Sequence, residues 1–184
     1  FAITNLVDPT NPQDAATRNY VHNYVASELL GVSESQWVNS GSDIYFSAGN
    51  VGIGKTTPSK LLDVNGDILV NGVTIGRGGG NDSLNTAVGA YALNSNSGNY
   101  NSAFGYFASS SNTSATSNTS VGFSSLSGIT VGSYNTAIGR DSGHYIADGV
   151  TANQASSNSV YFGSFTKALA NGGTNEIVIG YNTI

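Results

Sequence analysis

The sequence predicts a mainly β protein: a short helical segment, a small β module, then a repeat β-solenoid or β-roll. Three observations carry that reading. Short runs of aliphatic, aromatic and β-branched residues recur between Gly, Asn and Ser. A five-residue unit ending in Gly returns at a near-constant interval through the second half of the chain. Charged residues make up only 9% of the 184 residues, against roughly 25% in ordinary globular domains.

The same composition excludes several classes. A net charge of −5 offers no basic excess to neutralise phosphates, so no nucleic-acid partner is expected. The absence of Cys rules out disulfide scaffolds and thiolate metal sites. Runs such as Ile68-Leu69-Val70 fall far short of the ~20 apolar residues that cross a bilayer as a helix, so no membrane insertion is expected. Phe1 opens without an initiator Met, which reads as a piece of a longer polypeptide or a processed product.

Residues 1–34 read as an extended lead-in and a helix. Asn11 suits the N-cap, Pro12 the first helical position and Asp14 the positive end of the helix dipole. Gly31 supplies the stop after Leu30. The apolar row is Val21, Val25 and Leu29, a stripe too narrow to bury one side of a globular domain. It calls for a partner surface or copies of itself, as in a short coiled coil.

Residues 35–80 read as a small β module ending in a glycine-rich junction. Asp43-Ile44-Tyr45-Phe46, Val51-Gly52-Ile53, Leu61-Leu62-Asp63-Val64, Asp67-Ile68-Leu69-Val70 and Val73-Thr74-Ile75 are strand candidates. Asn65-Gly66 and Asn71-Gly72 are tight-turn pairs, and Gly78-Gly79-Gly80 is read as the junction.

Residues 81–184 carry the repeat. No Asp, Glu, Lys or Arg occurs from Ser83 to Gly139. Asn-[Ser/Thr]-x-apolar-Gly appears as Asn85–Gly89, Asn101–Gly105, Asn118–Gly122 and Asn135–Gly139, with looser copies ending at Gly163 and Gly180. These glycines stand 16, 17, 17, 24 and 17 residues apart, so one insertion, Tyr145 to Ala155, accounts for the outlier. One short strand per unit cannot bury itself, and stacked coils complete it. Asn at the same place in each coil can form an amide ladder. Either Ala87 with Gly89 or Val88 with Tyr91 faces inward in such a coil; Val88, Phe104, Val121, Ile138, Phe162 and Ile179 are read as the repeat core.

Several sites for chemistry were weighed. Gly49 to Thr56 satisfies the phosphate-loop pattern G-x-x-x-x-G-K-[ST], but Pro58 and Asn65-Gly66 leave no room for the helix whose amides would hold phosphate. It reads as a glycine-rich turn. His22 and His144 lie in different segments without metal-ligand neighbours. Asp141, Ser142 and His144 can be drawn as a hydrolytic trio, but no nucleophile-elbow motif accompanies them. No cofactor or metal is expected. The ring-bearing residues near the coil corners, among them Tyr91, Tyr106, Phe107, Phe123, Phe165 and Tyr181, read first as packing and only second as a ligand platform. The insertion is the preferred place for a receptor contact, with Tyr145, Asp148, Tyr134 and Tyr161 as candidates.

Ile3-Thr4-Asn5-Leu6 with Asp8 to Val21 resembles a segment common in bacteriophage tail-fibre proteins, in which Lys usually stands at the Arg18 position. Val51 to Gly66 resembles a second fibre and tailspike segment, in which Thr is commoner than Lys55. The Asn-Thr-Ala-(Val/Ile)-Gly units are similar to head repeats of trimeric autotransporter adhesins. The resemblance implies a parallel homotrimeric fibre, extracellular on the virion, joined to other tail proteins and touching a cell-surface glycan or protein receptor without enzymatic activity. In many relatives a C-terminal chaperone that cuts itself off follows such repeats. The alternatives are a polysaccharide-degrading tailspike, for which Asp141 and Asp148 would be the carboxylate pair, and a bacterial surface adhesin.

Overall fold

The structure is a computed structural model that describes residues 37–40, 43–46, 49–80 and 82–184. The expected helix with Val21, Val25 and Leu29, and His22 with it, lies outside the described residues. The described residues are mainly β and contain no helix. The chain divides into two compact units, residues 1–52 with 56–63 and residues 53–55 with 64–184.

In the first unit, β1 (Trp37–Ser40) and β2 (Asp43–Phe46) pair antiparallel with Trp37 opposite Phe46 and Ser40 opposite Asp43. β3 (Val51–Ile53) and β4 (Leu62–Val64) form a second two-stranded sheet. The Gly49–Thr56 stretch is thus strand β3 running into a turn at Gly54, and no helix follows it before β4.

In the second unit eight strands form one sheet in strict sequence order: β5 (Ile68–Val70), β6 (Val73–Gly76), β7 (Thr86–Val88), β8 (Ser102–Phe104), β9 (Thr119–Val121), β10 (Thr136–Ile138), β11 (Val160–Phe162) and β12 (Ile177–Ile179). From β7 to β12 all pairs are parallel and the repeat positions lie opposite one another: Ala87, Ala103, Ser120, Ala137, Tyr161 and Val178 form one row. The hairpin β5–β6 turns on Asn71-Gly72, both at positive φ, and β6 pairs antiparallel with β7. Asn65-Gly66, by contrast, joins strands of different sheets and makes no hairpin.

That pairing revises the expected junction. The Gly78–Gly80 run packs against the first coil: the Gly79 N–H donates to Leu93 O at 2.9 Å. A Cβ on Gly79 would stand 2.0 Å from Asn94 O, so the run is glycine because backbone meets backbone.

Side chains alternate across a strand. In three-residue strands only the middle residue points inward, and the core follows from it. Ala87, Ala103, Ala92, Leu93 and Ala108 form one buried cluster. Ala137, Tyr161 and Val178 join Ala115, Leu126, Ile129 and Ala168 in another. Val88, Phe104, Val121, Ile138, Phe162 and Ile179, read from sequence as the repeat core, take the next position and face outward. The last five are 37–66% exposed within the chain. Ala or Ser fills four of the six inward places of β7–β12, so the space behind the sheet is narrow.

Polar ladders link successive repeats. The Oδ1 of Asn85, Asn101 and Asn118 accepts the backbone N–H of Asn101, Asn118 and Asn135 at 2.8, 3.0 and 2.9 Å, and Asn135 Oδ1 accepts Ser159 N–H at 3.1 Å. Each Nδ2 donates across its own coil, to the carbonyl of Gly98, Ala115, Gly132 or Ser156. All four Asn side chains are buried, each with both its oxygen and its nitrogen hydrogen-bonded. In the last two coils Asn158 and Asn175 slip one place back, to a positive-φ position, and Ser159 and Glu176 stand in the ladder.

Candidate functional site

Three surfaces of the second unit were the candidates. The first is the outward face of β7–β12. Its two rows are Thr86, Ser102, Thr119, Thr136, Val160 and Ile177, and the apolar row from Val88 to Ile179. Over β7–β10 this face belongs to the segment without a charged residue. A sheet face this apolar and bare is uncommon on a soluble monomer.

The second is a column of rings at the corner just after each glycine. Tyr91 stacks on Phe107 with centroids 4.8 Å apart and planes at 12°. Tyr106 stacks on Phe123 at 5.6 Å and 15°. Arg140 then lies over Phe123 at 5.4 Å and over Phe165 at 5.3 Å, continuing the column as a cation between two ring faces. Tyr181 closes it, edge-on to Phe165 at 6.0 Å. The column exists because backbone bonds fix its register: Phe107, Ser124, Asp141 and Phe165 each donate an N–H to the carbonyl of Ala90, Tyr106, Phe123 and Arg140 in the preceding coil. Tyr91, Phe107, Ser124, Asp141 and Phe165 all hold φ between 51° and 61°, a conformation rare outside Gly and Asn. Aromatic residues one or two places after each glycine were the sequence signal for this column; Arg140 as its continuation was not visible.

The third is the insertion. Tyr145 bridges Ala152 antiparallel, so the extra residues form a small hairpin with Asp148-Gly149 at its turn. Asp148 is exposed and accepts from Val150 N–H and Thr151 N–H, both at 2.8 Å, and from Thr151 Oγ1 at 2.6 Å. Those bonds, the Thr151 hydroxyl first, hold its carboxyl below the usual carboxylate range. Tyr145 stacks on His144, centroids 3.9 Å apart.

The four receptor candidates therefore do not share one surface. Tyr145 and Asp148 lie in the insertion hairpin. Tyr134, 64% exposed, stands before the ladder residue of β10. Tyr161 must be withdrawn: it is fully buried, because it occupies the inward place of β11 that Ala fills in three other coils. Its hydroxyl donates to Glu176 Oε2 at 2.8 Å, and burial together with that bond pushes its pKa up to about 12.

The drawn trio of Asp141, Ser142 and His144 has a different geometry from a nucleophile–base pair. Ser142 is buried, its hydroxyl 2.8 Å from Tyr161 O and 2.8 Å from Thr166 Oγ1. His144 Nδ1 lies 3.5 Å from Asp141 Oδ1. Burial holds the His144 pKa below the ordinary value, against the opposing hydrogen bond and charge of Asp141. Asp141 also pairs with Arg140 at 3.2 Å, so this carboxylate ties the ring column to the insertion. Among the described residues no group of three His, Cys, Asp or Glu side chains could hold a metal. Comparison with protein-family models, with curated proteins and with solved structures finds no match to this chain.

Proposed function

We propose that this chain is a structural and host-attachment segment of a bacteriophage tail fibre, built as a parallel homotrimer of stacked β-solenoid coils. The observation that carries the reading is the bare outward face of β7–β12. Phe104, Val121, Ile138, Phe162 and Ile179 line up at one per strand, exposed in a single chain, on a face poor in charge. Burying such a row between copies adds a second apolar interior to the narrow one inside each chain. Parallel strands in repeat register and the Asn ladder support the solenoid reading, as does a glycine column in which a Cβ on Gly89, Gly105, Gly122, Gly139 or Gly163 would meet the carbonyl of the next repeat glycine. The resemblance of Ile3 to Leu6 with Asp8 to Val21, and of Val51 to Gly66, to fibre segments supports the placement on a virion. The mechanism is adhesive: three equal surfaces on each fibre and several fibres on each particle convert weak contacts into firm attachment.

Sedimentation of the purified chain together with binding of the labelled protein to a panel of bacterial cells tests this. A mass about three times 18.8 kDa and retention on some cells are expected. A folded monomer overturns the assembly. Release of reducing sugar from capsular polysaccharide would replace attachment alone with depolymerisation.

A further inference from the structure

The ring column has an empty place at its start. Tyr106, Phe123 and Arg140 follow the glycine in the next three coils, but the first coil has Ala90 there. Beside Ala90 lies a cleft of about 450 Å³, lined by Tyr91, Asp67, Thr74 and Asn94, with Gly78 and Gly79 at its wall. That volume falls within the range of small-ligand sites, roughly 300–1,000 Å³.

Its groups are already arranged. Phe107 covers one face of the Tyr91 ring. Tyr106 meets the same ring edge-on at 5.8 Å, and Tyr91, still 53% exposed, lines the cleft together with Asp67 and Thr74 from the β5–β6 side. Asp67 is held by the main chain: Oδ1 accepts Arg77 N–H at 2.8 Å and Oδ2 accepts Gly78 N–H at 3.1 Å. A carboxylate has about four lone-pair positions, so each oxygen keeps capacity for another donor. No cationic side chain lines the cleft. A half-exposed aromatic ring, a fixed acceptor and a hydroxyl and amide nearby match a ligand with an apolar ring face and hydroxyls on its rim.

We propose that this cleft is a saccharide subsite. The apolar face of a neutral pyranose stacks on Tyr91, its hydroxyls donate to Asp67, and Thr74 and Asn94 pair with the rest. The proposal rests on the attachment reading and names its ligand class. Acidic sugars are disfavoured, because their carboxylate would meet that of Asp67 without a cation to separate them.

Saturation-transfer NMR on the assembled wild-type protein tests it, with methyl glycosides of glucose, galactose, mannose, rhamnose, N-acetylglucosamine and glucuronic acid as probes. At least one neutral glycoside should bind and the glucuronide should not. Tyr91→Ala should weaken binding by about tenfold or more. Asn94→Ala trims only an exposed side chain, so it should weaken binding without moving the melting temperature, and it reports even if loss of the Tyr91 stack unfolds the first coil. Tyr100→Ala, an exposed ring outside the cleft, should change nothing. Undiminished binding in Asn94→Ala and in folded Tyr91→Ala, or a preference for the glucuronide, overturns the subsite. A wild-type protein that binds cells but none of these glycosides overturns the subsite and leaves attachment standing. One that binds neither overturns both.

Discussion

Asn118 Oδ1 accepts the backbone N–H of Asn135 at 2.9 Å, 17 residues further along the chain and one coil away. The same side chain donates to Gly132 O at 2.9 Å. One buried amide thus joins two coils and closes one of them. Asn118→Ala leaves a buried donor and a buried acceptor unmatched, each costing about 1–3 kcal/mol. A denaturant melt should show a loss of that order, and an unchanged midpoint would contradict the ladder.

Gly122 tests the glycine column. Its φ is +132° and a Cβ there would stand 2.5 Å from Gly139 O in the next coil. Gly122→Ala should destabilise by well over the ~1 kcal/mol of the backbone conformation alone, because neither main chain can retreat. Gly72→Ala, at φ +83° with nothing within 4 Å of its Cβ, should lose only the conformational part. Equal melting shifts for the two variants would contradict the close approach.

Ile138 and Ala137 separate folding from assembly. Ala137 is fully buried in the coil, and Ile138 beside it points outward. Ala137→Asp should unfold the stack, since an unpaired charge enters a closed interior. Ile138→Asp, and likewise Val121→Asp, should keep the β circular dichroism but drop the sedimenting mass of the proposed trimer towards that of one chain. A trimer that survives Ile138→Asp would show that another surface holds the copies together.

Tyr161 sets an alkaline limit. Its pKa rises from 10.0 to about 12 in the fold, so below pH 10 both states keep the proton and the contribution is complete. Between pH 10 and 12 the unfolded chain ionises first, and stability falls by on the order of 2 kcal/mol. Melting temperature should decline across that window in the wild type. Tyr161→Phe should flatten the decline, and an identical slope would assign it to other groups.

His144 works in the acid direction. Burial lowers its folded pKa below 6.5, so protonation favours the unfolded chain as pH falls through 6.5 and towards the folded value. The ring-proton NMR titration should have its midpoint below 6.5. Asp141→Asn should lower that midpoint further, because the Asp141 bond and charge are what oppose burial.

The repeat register was legible from the glycines, and the amide ladder from the Asn that precedes each of β7 to β10. Which side of the strand faces inward was not. Hydropathy favours Val121 over Ser120 and Ile138 over Ala137, yet the smaller residue is buried in both coils because the interior is already filled from the other walls, by Leu126 and Ile129 among others. Tyr161 misled for the same reason in reverse: its bulk suggested a surface ring, while Gly143, where a Cβ would stand 2.7 Å from Tyr161 Cδ2, leaves the ring its inward place. Gly78–Gly80 looked like a joint because closeness to a distant backbone leaves no trace in local composition. The cleft by Tyr91 depended on β6 pairing with β7 against the direction of every later strand, a choice made by tertiary contacts.

That reversed pairing gives the stack a sense. β6 closes one side of β7 antiparallel, whereas each later strand offers the next the same donors and acceptors that it received. A unit of 16 or 17 residues copied anywhere after β7 would meet matching neighbours on both sides, adding one step of about 4.8 Å. Length is then a matter of counting, and the structure can be extended or shortened in whole increments without redesigning its beginning.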